Sequence, residues 1–557
     1  MLPRVIEAEP ARPSAAPWPR PAGTIARAFA DLSDGQLVWL IGSLLFVLSA
    51  WPLLLVPLPP LQDLPNHVAT AHIVAHPELY PEFQFNGLFK SNCLLTLWFY
   101  LLGGHGLFGA ARAFTALTLA VNALALPIFV LRFAGRSHLP VAALFFWPLV
   151  HSFSLSMGFL NFTFAFGLSL ILLTVIDRQR EQATPLRAVG IAALATGVWY
   201  AHTFPIAVVG LLVALHAAGQ TTWPARLRTG LRLLLPLAPA GLLALMTAEH
   251  HLVKPEHSTA ASATFMFLNP WELLDHLWLD VSGALTWRGS TTIVPALLLP
   301  YFVWRQGWTA RPFVSGRAMV LLSATYLALP SMLSNWNYLN CRLVPFLWAG
   351  MLVQLPSRLP RAVAGLLLVS ALTFSATLGA DYLRLDRDRA AFTAGIEAVP
   401  ERATLLPLLF QHGEPGGFTA SLTHAWGYYM VAKNSSAPLV FAVDRSHPIN
   451  YRQFPPGQLI PPALDRFADR FATPALTCKA LKQDPTLAAC SAVWRDLWGN
   501  FWREAAPRFT HLLVWAMPTE ARSLIPAPYH PIFAAGKLVI YARENVPLMN
   551  PGFNKEQ

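Results

Sequence analysis

Eleven apolar runs, most of them separated by short arginine-bearing segments, leave this chain one environment in which to fold. A helix needs roughly 17 to 25 mostly apolar residues to cross a bilayer. Such runs are read near 36–58, 110–131, 139–156, 158–176, 188–203, 204–218, 233–248, 291–304, 318–334, 343–357 and 362–380. In lipid the backbone must satisfy its own hydrogen bonds, so these runs are read as helices and the chain as a mainly α, polytopic membrane protein. Composition agrees: 12% of the 557 residues are charged, against roughly 25% in a soluble domain.

The net charge of +11 does not point to nucleic acid, because the arginines are spread over short connections and form no single basic surface. They report orientation instead. With a cytoplasmic N-terminus, LRFAGRSH, DRQREQATPLR, PARLRTGLR, RQGWTARPFVSGR and PSRLPR all fall inside. The outer segments then hold only Lys90, Arg112, Lys254, Arg288 and Arg342, as the positive-inside rule requires. Residues 1–35, rich in Pro, Ala and Arg, are read as a disordered cytoplasmic tail. SNCLLTLWFYLLGG (91–104) is apolar enough to suggest a span, but counting it would invert every later loop. It is therefore read as an interfacial helix on the outer leaflet, with Trp98 and Tyr100 at headgroup level.

This topology predicts a membrane domain over 36–380 with large outer segments at 59–109 and 249–290, followed by an outer region from 381 to 557. In that region the charge rises and the apolar runs shorten. Candidate strands at 403–410, 437–443, 510–516 and 536–542 alternate with helix-like HAWGYYMVAK and PTEARSLI, which predicts a small α/β domain. PINYRQFPPGQLIPP reads as a long proline-rich loop able to drape over the membrane-side cavity. All four cysteines fall outside, where disulfides are permitted. Cys478 with Cys490 is the favoured pair, and Cys93 with Cys341 a weaker one.

The sharpest feature is PLPPLQDLPNH, ending at His67. Asp63 stands among Pro57, Pro59, Pro60 and Pro65, on restricted backbone where the chain leaves its first span. A carboxylate at the edge of a low-dielectric region can be tuned for base work. The same residues also fit the start of a helix, with Asp63 or Asn66 as its cap.

QDLPNH (62–67), HGLFGAARAFTAL (105–117) and NYLNCRLVPFLW (337–348), in this order among many spans, resemble the GT-C superfamily of membrane glycosyltransferases, to which the protein O-mannosyltransferases and the aminoarabinose transferases of lipid A belong. The resemblance implies that Asp63 is the general base that deprotonates an acceptor while a polyprenyl phosphate leaves the sugar's anomeric carbon. It implies Arg342 as the phosphate contact, since Arg grips phosphate in a bidentate manner; a snorkelling anchor is the alternative. Lys90, His202, Arg112 and Lys254 rank below it, and His67 joins the candidate substrate contacts. Asp63 and Arg342 are then expected within about 10 Å of each other, room for one sugar phosphate. The sequence departs from the superfamily in its second outer loop, SLSMGFLNFTF, which carries no carboxylate. Asn161 can offer hydrogen bonds there but no charge, which counts against a divalent metal; Gly158 in the same loop also suits simple helix packing.

Other groupings carry less. His72 and His76 have zinc-compatible i, i+4 spacing but no third ligand in register. His250, His251 and His257 suit a solvated loop, and NPWELLDHLWLD (269–280) an interfacial helix whose tryptophans could also stack on sugars. There is no phosphate-binding loop, dinucleotide fingerprint or nucleophile elbow. The expected function is sugar transfer from a polyprenyl-phosphate donor to a glycan, lipid or protein acceptor at the outer face of a bacterial inner membrane, with no cofactor assigned and the C-terminal domain periplasmic. The rivals are a transporter or flippase, disfavoured by the absence of internal repeats, and an assembly scaffold in which Asp63 is dispensable.

Overall fold

The computed structural model describes residues 31–247, 265–282, 291–333, 337–412, 419–438, 441–442, 447–453, 455, 459, 464, 466–484 and 489–544. The expected N-terminal tail lies almost wholly outside them, as do Lys254, Arg288 and the histidines at 250, 251 and 257.

Ser33 opens the first helix, Asp34–Ala50, with a reciprocal cap. Its hydroxyl accepts from Gln36 N–H at 3.2 Å, and the Gln36 side chain accepts from Ser33 N–H at 2.7 Å. Among the described residues, five helical segments are long and apolar enough to cross a membrane: Asp34–Leu54, Leu107–Phe133, Leu160–Glu181, Trp223–Met246 and Arg361–Ala398. The protein is therefore an integral membrane protein, and among the described residues five of the eleven expected spans reach this length. The run at 139–156, expected as one span, is a helix pair, Arg136–Ala143 and Trp147–Ser156, bent by 72°; counting the pair as one span gives six. Pro148 opens the second piece and lacks the N–H that would continue the first. The other expected spans are helices of nine to seventeen residues: Pro185–Ala201, Thr203–Ala218, Ile293–Gln306, Gly316–Ala328 and Val344–Leu352. Residues 94–102 form a helix of only nine residues, too short to span, with Trp98 Nε1 donating to Ala110 O at 2.9 Å.

Helices Leu107–Phe133 and Leu160–Glu181 share a buried Asn122, whose side-chain amide donates to Thr118 O and across to Thr163 O. At the far end of the same pair Arg132 is bound to the buried carboxylate of Asp177. The last long helix, Arg361–Thr393, was expected to end near 380 but continues without a break into the C-terminal region. Trp51, just before the proline cluster, donates its indole N–H to Ser375 on this helix at 2.8 Å.

The C-terminal region contains a four-stranded sheet. Leu405–Leu409 lies parallel to His511–Trp515, which is antiparallel to Leu538–Arg543, itself paired antiparallel with Tyr529–Ala535. Helix Arg361–Thr393 meets this sheet through Phe392, packed on Trp515 and Tyr429. The strand expected at 437–443 is not formed by the described residues there, and Tyr529–Ala535 was not foreseen. Its proline and its mostly exposed residues give a weak strand signal, and hairpin pairing with Leu538–Arg543 supplies what the local sequence lacks.

Cys478 and Cys490 are disulfide-bonded. Cys93 and Cys341 are instead buried thiols outside any disulfide: Cys93 ends the approach to helix Leu94–Leu102, whereas the Cys341 sulfur lies 3.7 Å from His276 Nδ1. The double variant Cys478→Ser, Cys490→Ser is expected to cost about 3 kcal/mol through loop-closure entropy, read as earlier thermal unfolding in non-reducing buffer.

Candidate functional site

Asp63 is placed by the turn that precedes it. Gln62 and Asp63 donate their backbone N–H groups to Ser156 O and Met157 O at 3.2 and 3.1 Å, so the chain leaving the first span is bonded to the loop before the helix Leu160–Glu181. Gly158 makes this approach possible. Its φ of +87° lies in the left-handed region, and a Cβ there would stand 2.8 Å from Asp63 N and 3.0 Å from Asp63 Cβ. The loop read as ordinary helix packing is therefore the seat of Asp63.

Asp63 precedes the helix Leu64–Ala75, but with φ −87° and ψ −8° its backbone is already helical and its side chain makes no capping bond. Asn66, the other capping candidate, lies inside the helix. Asp63 is 7% exposed, and its carboxylate faces His424, whose Nε2 lies 3.6 Å from Oδ1. The network around His424 fixes its tautomer. Phe441 N–H donates to Asn66 Oδ1 at 3.0 Å, which turns the Asn66 amide nitrogen toward His424 Nδ1 at 3.3 Å. Nδ1 must then accept, so neutral His424 carries its proton on Nε2, on the side of Asp63. His424 holds this position with φ +69°, a left-handed conformation uncommon for a side-chain-bearing residue.

The segment beyond Gly158 reaches Arg342. The guanidinium of Arg342 sits over the rings of Phe159 and Phe162, 4.9 and 5.4 Å from their centroids, and Nη1 lies 2.5 Å from His202 Nε2. Arg342 is 8% exposed. One short stretch, 156–162, thus joins Asp63, Arg342 and His202. Asn161, in the same stretch, directs its amide elsewhere, donating to Asn92 O at 2.8 Å and accepting from Leu95 N–H at 2.9 Å. This ties the short helix Leu94–Leu102 to the site's floor.

The C-terminal region closes the other side. Strand Phe83–Phe85 pairs antiparallel with Ile449–Tyr451, inside the proline-rich loop. Helix Gly427–Lys433 lies on Leu64–Ala75 so closely that a Cβ at Gly427 would stand 2.5 Å from Pro65 O. Lys90, 4% exposed, points its Nζ to His447 O at 3.5 Å. His67 packs edge-on against Phe441, which stacks on His447. Asp63, Arg342 and His202, all named from the sequence, are brought to one stretch of chain, whereas His424, Phe441 and His447 beside them were not named from the sequence and Asn66 was named only as a cap. The only available signal for His424 was its place at the head of HAWGYYMVAK, read there simply as a helix.

Burial, with His447 alongside, lowers the pKa of His67 from the ordinary 6.5 to about 3. The unfolded chain takes up a proton below about 6.5, whereas the folded chain resists it until about 3. This contribution to stability is therefore full above 6.5 and is lost as pH falls toward 3. His412 and His511, both held to about 4 by burial first, add the same sign. The thermal midpoint is expected to fall as pH drops from 7 to 4, and less steeply in His67→Gln; parallel curves for the two proteins would contradict this.

His72 Nε2 lies 3.0 Å from Asn434 Oδ1, and its ring is 4.8 Å from that of His76. Among the described residues no three His, Cys, Asp or Glu side chains gather as metal ligands. Arg112 is exposed to the exterior of its helix. Glu272 closes a cap with Asn269 at the start of helix Pro270–Ser282, while Trp271 is exposed.

No protein-family model and no curated protein matches the chain. Among solved structures it is similar to the arabinofuranosyltransferase AftD from mycobacteria, at 14% identity and a TM-score of 0.47, over 92% of this chain and 40% of that one. The chain thus spans about two fifths of that protein's length.

Proposed function

We propose that the protein is a membrane glycosyltransferase that moves a sugar from a polyprenyl-phosphate donor to an acceptor at the outer face of the membrane, with Asp63 as general base. The observation that carries this reading is a buried carboxylate, not used as a helix cap, that is faced by an imidazole N–H and bonded through its backbone to the same stretch, 156–162, whose rings seat a buried arginine. The resemblance of QDLPNH to the GT-C superfamily supports the same role.

In this reading Asp63 takes the proton of the acceptor's hydroxyl or amine as that atom bonds to the sugar's anomeric carbon. The bond from that carbon to the phosphate oxygen breaks, and the polyprenyl phosphate leaves with its added negative charge. Arg342, seated on two aromatic rings, offers the cation that meets this charge. His424, as the Nε2–H tautomer 3.6 Å from Oδ1, turns the positive end of its N–H dipole toward ionised Asp63 and stabilises that charge without a hydrogen bond. His202 and Asn161 hold Arg342 and the floor in place, while Lys90 and His67 line the side nearest the C-terminal region.

The test is to incubate purified protein in lipid nanodiscs with a panel of polyprenyl-phosphate sugars and candidate acceptors, and to measure free polyprenyl phosphate. Release that requires an acceptor supports the reading. Movement of the intact donor between leaflets without release would instead make the protein a flippase. His424→Gln is expected to lower kcat by about tenfold and to shift the acid limb of the rate profile to higher pH, because the imidazole N–H dipole facing the carboxylate is lost. An unshifted profile would remove His424 from this role.

A further inference from the structure

Beyond the carboxylate itself, the C-terminal region holds a second group of polar side chains that the proposed chemistry does not use. His412 and Thr419 are 7% and 6% exposed. His412 Nε2, Thr419 Oγ1, Ser421 Oγ and Asp469 Oδ1 are all shielded from solvent without a hydrogen-bond partner. Buried polar atoms in folded proteins are nearly always bonded, so four orphans on neighbouring residues require an explanation.

Their connections lead toward Asp63. Leu422 N–H donates to His412 O at 3.0 Å, and His412 Nδ1 lies 3.1 Å from Thr423 Oγ1. His412 Nε2 and Asp469 Oδ2 stand 3.8 Å apart, beyond hydrogen-bond length but close enough to share one small group. Ala420 N–H, between Thr419 and Ser421, donates to Gln62 Oε1 at 2.8 Å, one residue before Asp63. Four residues later His424 faces Asp63. At about 3.5 Å per residue, Ser421 lies within about 11 Å of His424.

We infer that His412, Thr419, Ser421 and Asp469 form a subsite for the hydroxyl groups of a carbohydrate chain, the acceptor that is led to Asp63. The inference rests on the glycosyl-transfer reading and names its acceptor class. Each sugar hydroxyl both donates and accepts, as does the set here: two hydroxyls, a carboxylate oxygen and an imidazole nitrogen. Burial, with Arg466 nearby, holds His412 neutral at physiological pH. The set therefore offers no cation at His412 for a phosphorylated headgroup, and the nearby Arg466 is engaged by Asp469, its Nε 3.5 Å from Oδ2. A peptide presenting a single serine or threonine would satisfy one of the four atoms, whereas adjoining sugar units satisfy several.

The experiment is saturation-transfer NMR on the protein in nanodiscs with hexaoses of mannose, glucose, galactose and xylose as probes. Native protein is expected to saturate at least one hexaose. The double variant Thr419→Val, Ser421→Ala should weaken that binding by about tenfold or more, while Thr419→Ser, which keeps the hydroxyl, should retain it at an unchanged thermal midpoint. No saturation of any hexaose, or equal saturation by native and double variant, would overturn the subsite and leave the cluster as a place for ordered water only. Hydroxyl-dependent binding without transfer from any donor would defeat the glycosyltransferase reading and leave the subsite standing. Transfer with an unchanged acceptor KM in the double variant would do the reverse.

Discussion

Asp63→Asn should lower sugar transfer by about 10²- to 10⁴-fold, the range a positioned general base contributes. The variant keeps the size and planarity of the side chain, so the backbone bonds of Gln62 and Asp63 to Ser156 O and Met157 O can persist. Because the native side chain makes no cap bond, its replacement leaves the start of helix Leu64–Ala75 unchanged and the thermal midpoint should move little. The amide cannot take a proton from an acceptor. It also removes the negative charge that the His424 Nε2–H faces. The loss should therefore appear in kcat more than in donor binding, with polyprenyl-phosphate release as the readout. Release at the native rate would remove Asp63 from the chemistry and leave its burial beside His424 as an architectural feature.

Gly158→Ala should be the most damaging single substitution outside the titratable residues. A left-handed φ costs a side-chain-bearing residue of order 1–3 kcal/mol, and overpacking a tight contact adds about 1–3 kcal/mol. The new Cβ would meet the backbone nitrogen of Asp63 at 2.8 Å, and backbone cannot rotate away as a flexible side chain would. A combined loss of about 2–6 kcal/mol in stability is expected, with transfer impaired even where the protein still folds, because the loop that seats Asp63 also carries Phe159 and Phe162 beneath Arg342. Gly190→Ala is the matched control. Gly190 lies in helix Pro185–Ala201 with open space at its Cβ, so alanine there should be neutral or slightly stabilising. Equal thermal midpoints for the two variants would show that the Gly158 contact does not hold the site together.

The membrane character was plain in the chain because apolar composition is a local property. Runs such as 110–131 and 362–380 are helices in the structure, and the short apolar stretch 91–104 is a nine-residue helix that cannot span. Counting spans was less secure. Proline at 148 breaks the run at 139–156, and the short helices at 293–306 and 316–328 show that hydropathy alone does not fix helix length. The strands at 405–409, 511–515 and 538–543 were visible as apolar segments. Tyr529–Ala535 was not, because its strand character comes from its hairpin partner.

For the site, the sequence by itself determined the chemistry on offer: a carboxylate fixed among prolines at the end of an apolar run, and an arginine entering a later one. These follow from residue type and from backbone restriction within a few positions. Only the tertiary structure decided what each group faces. Asn66 and His424 are 358 residues apart, and no periodicity relates them. Their meeting depends on the strand pairing of Phe83–Phe85 with Ile449–Tyr451 and on the contact of Gly427 with Pro65. Hydrogen-bond direction, and with it the proton on His424 Nε2, is a property of that assembled neighbourhood, because donor and acceptor roles are fixed by partners that a linear sequence does not place.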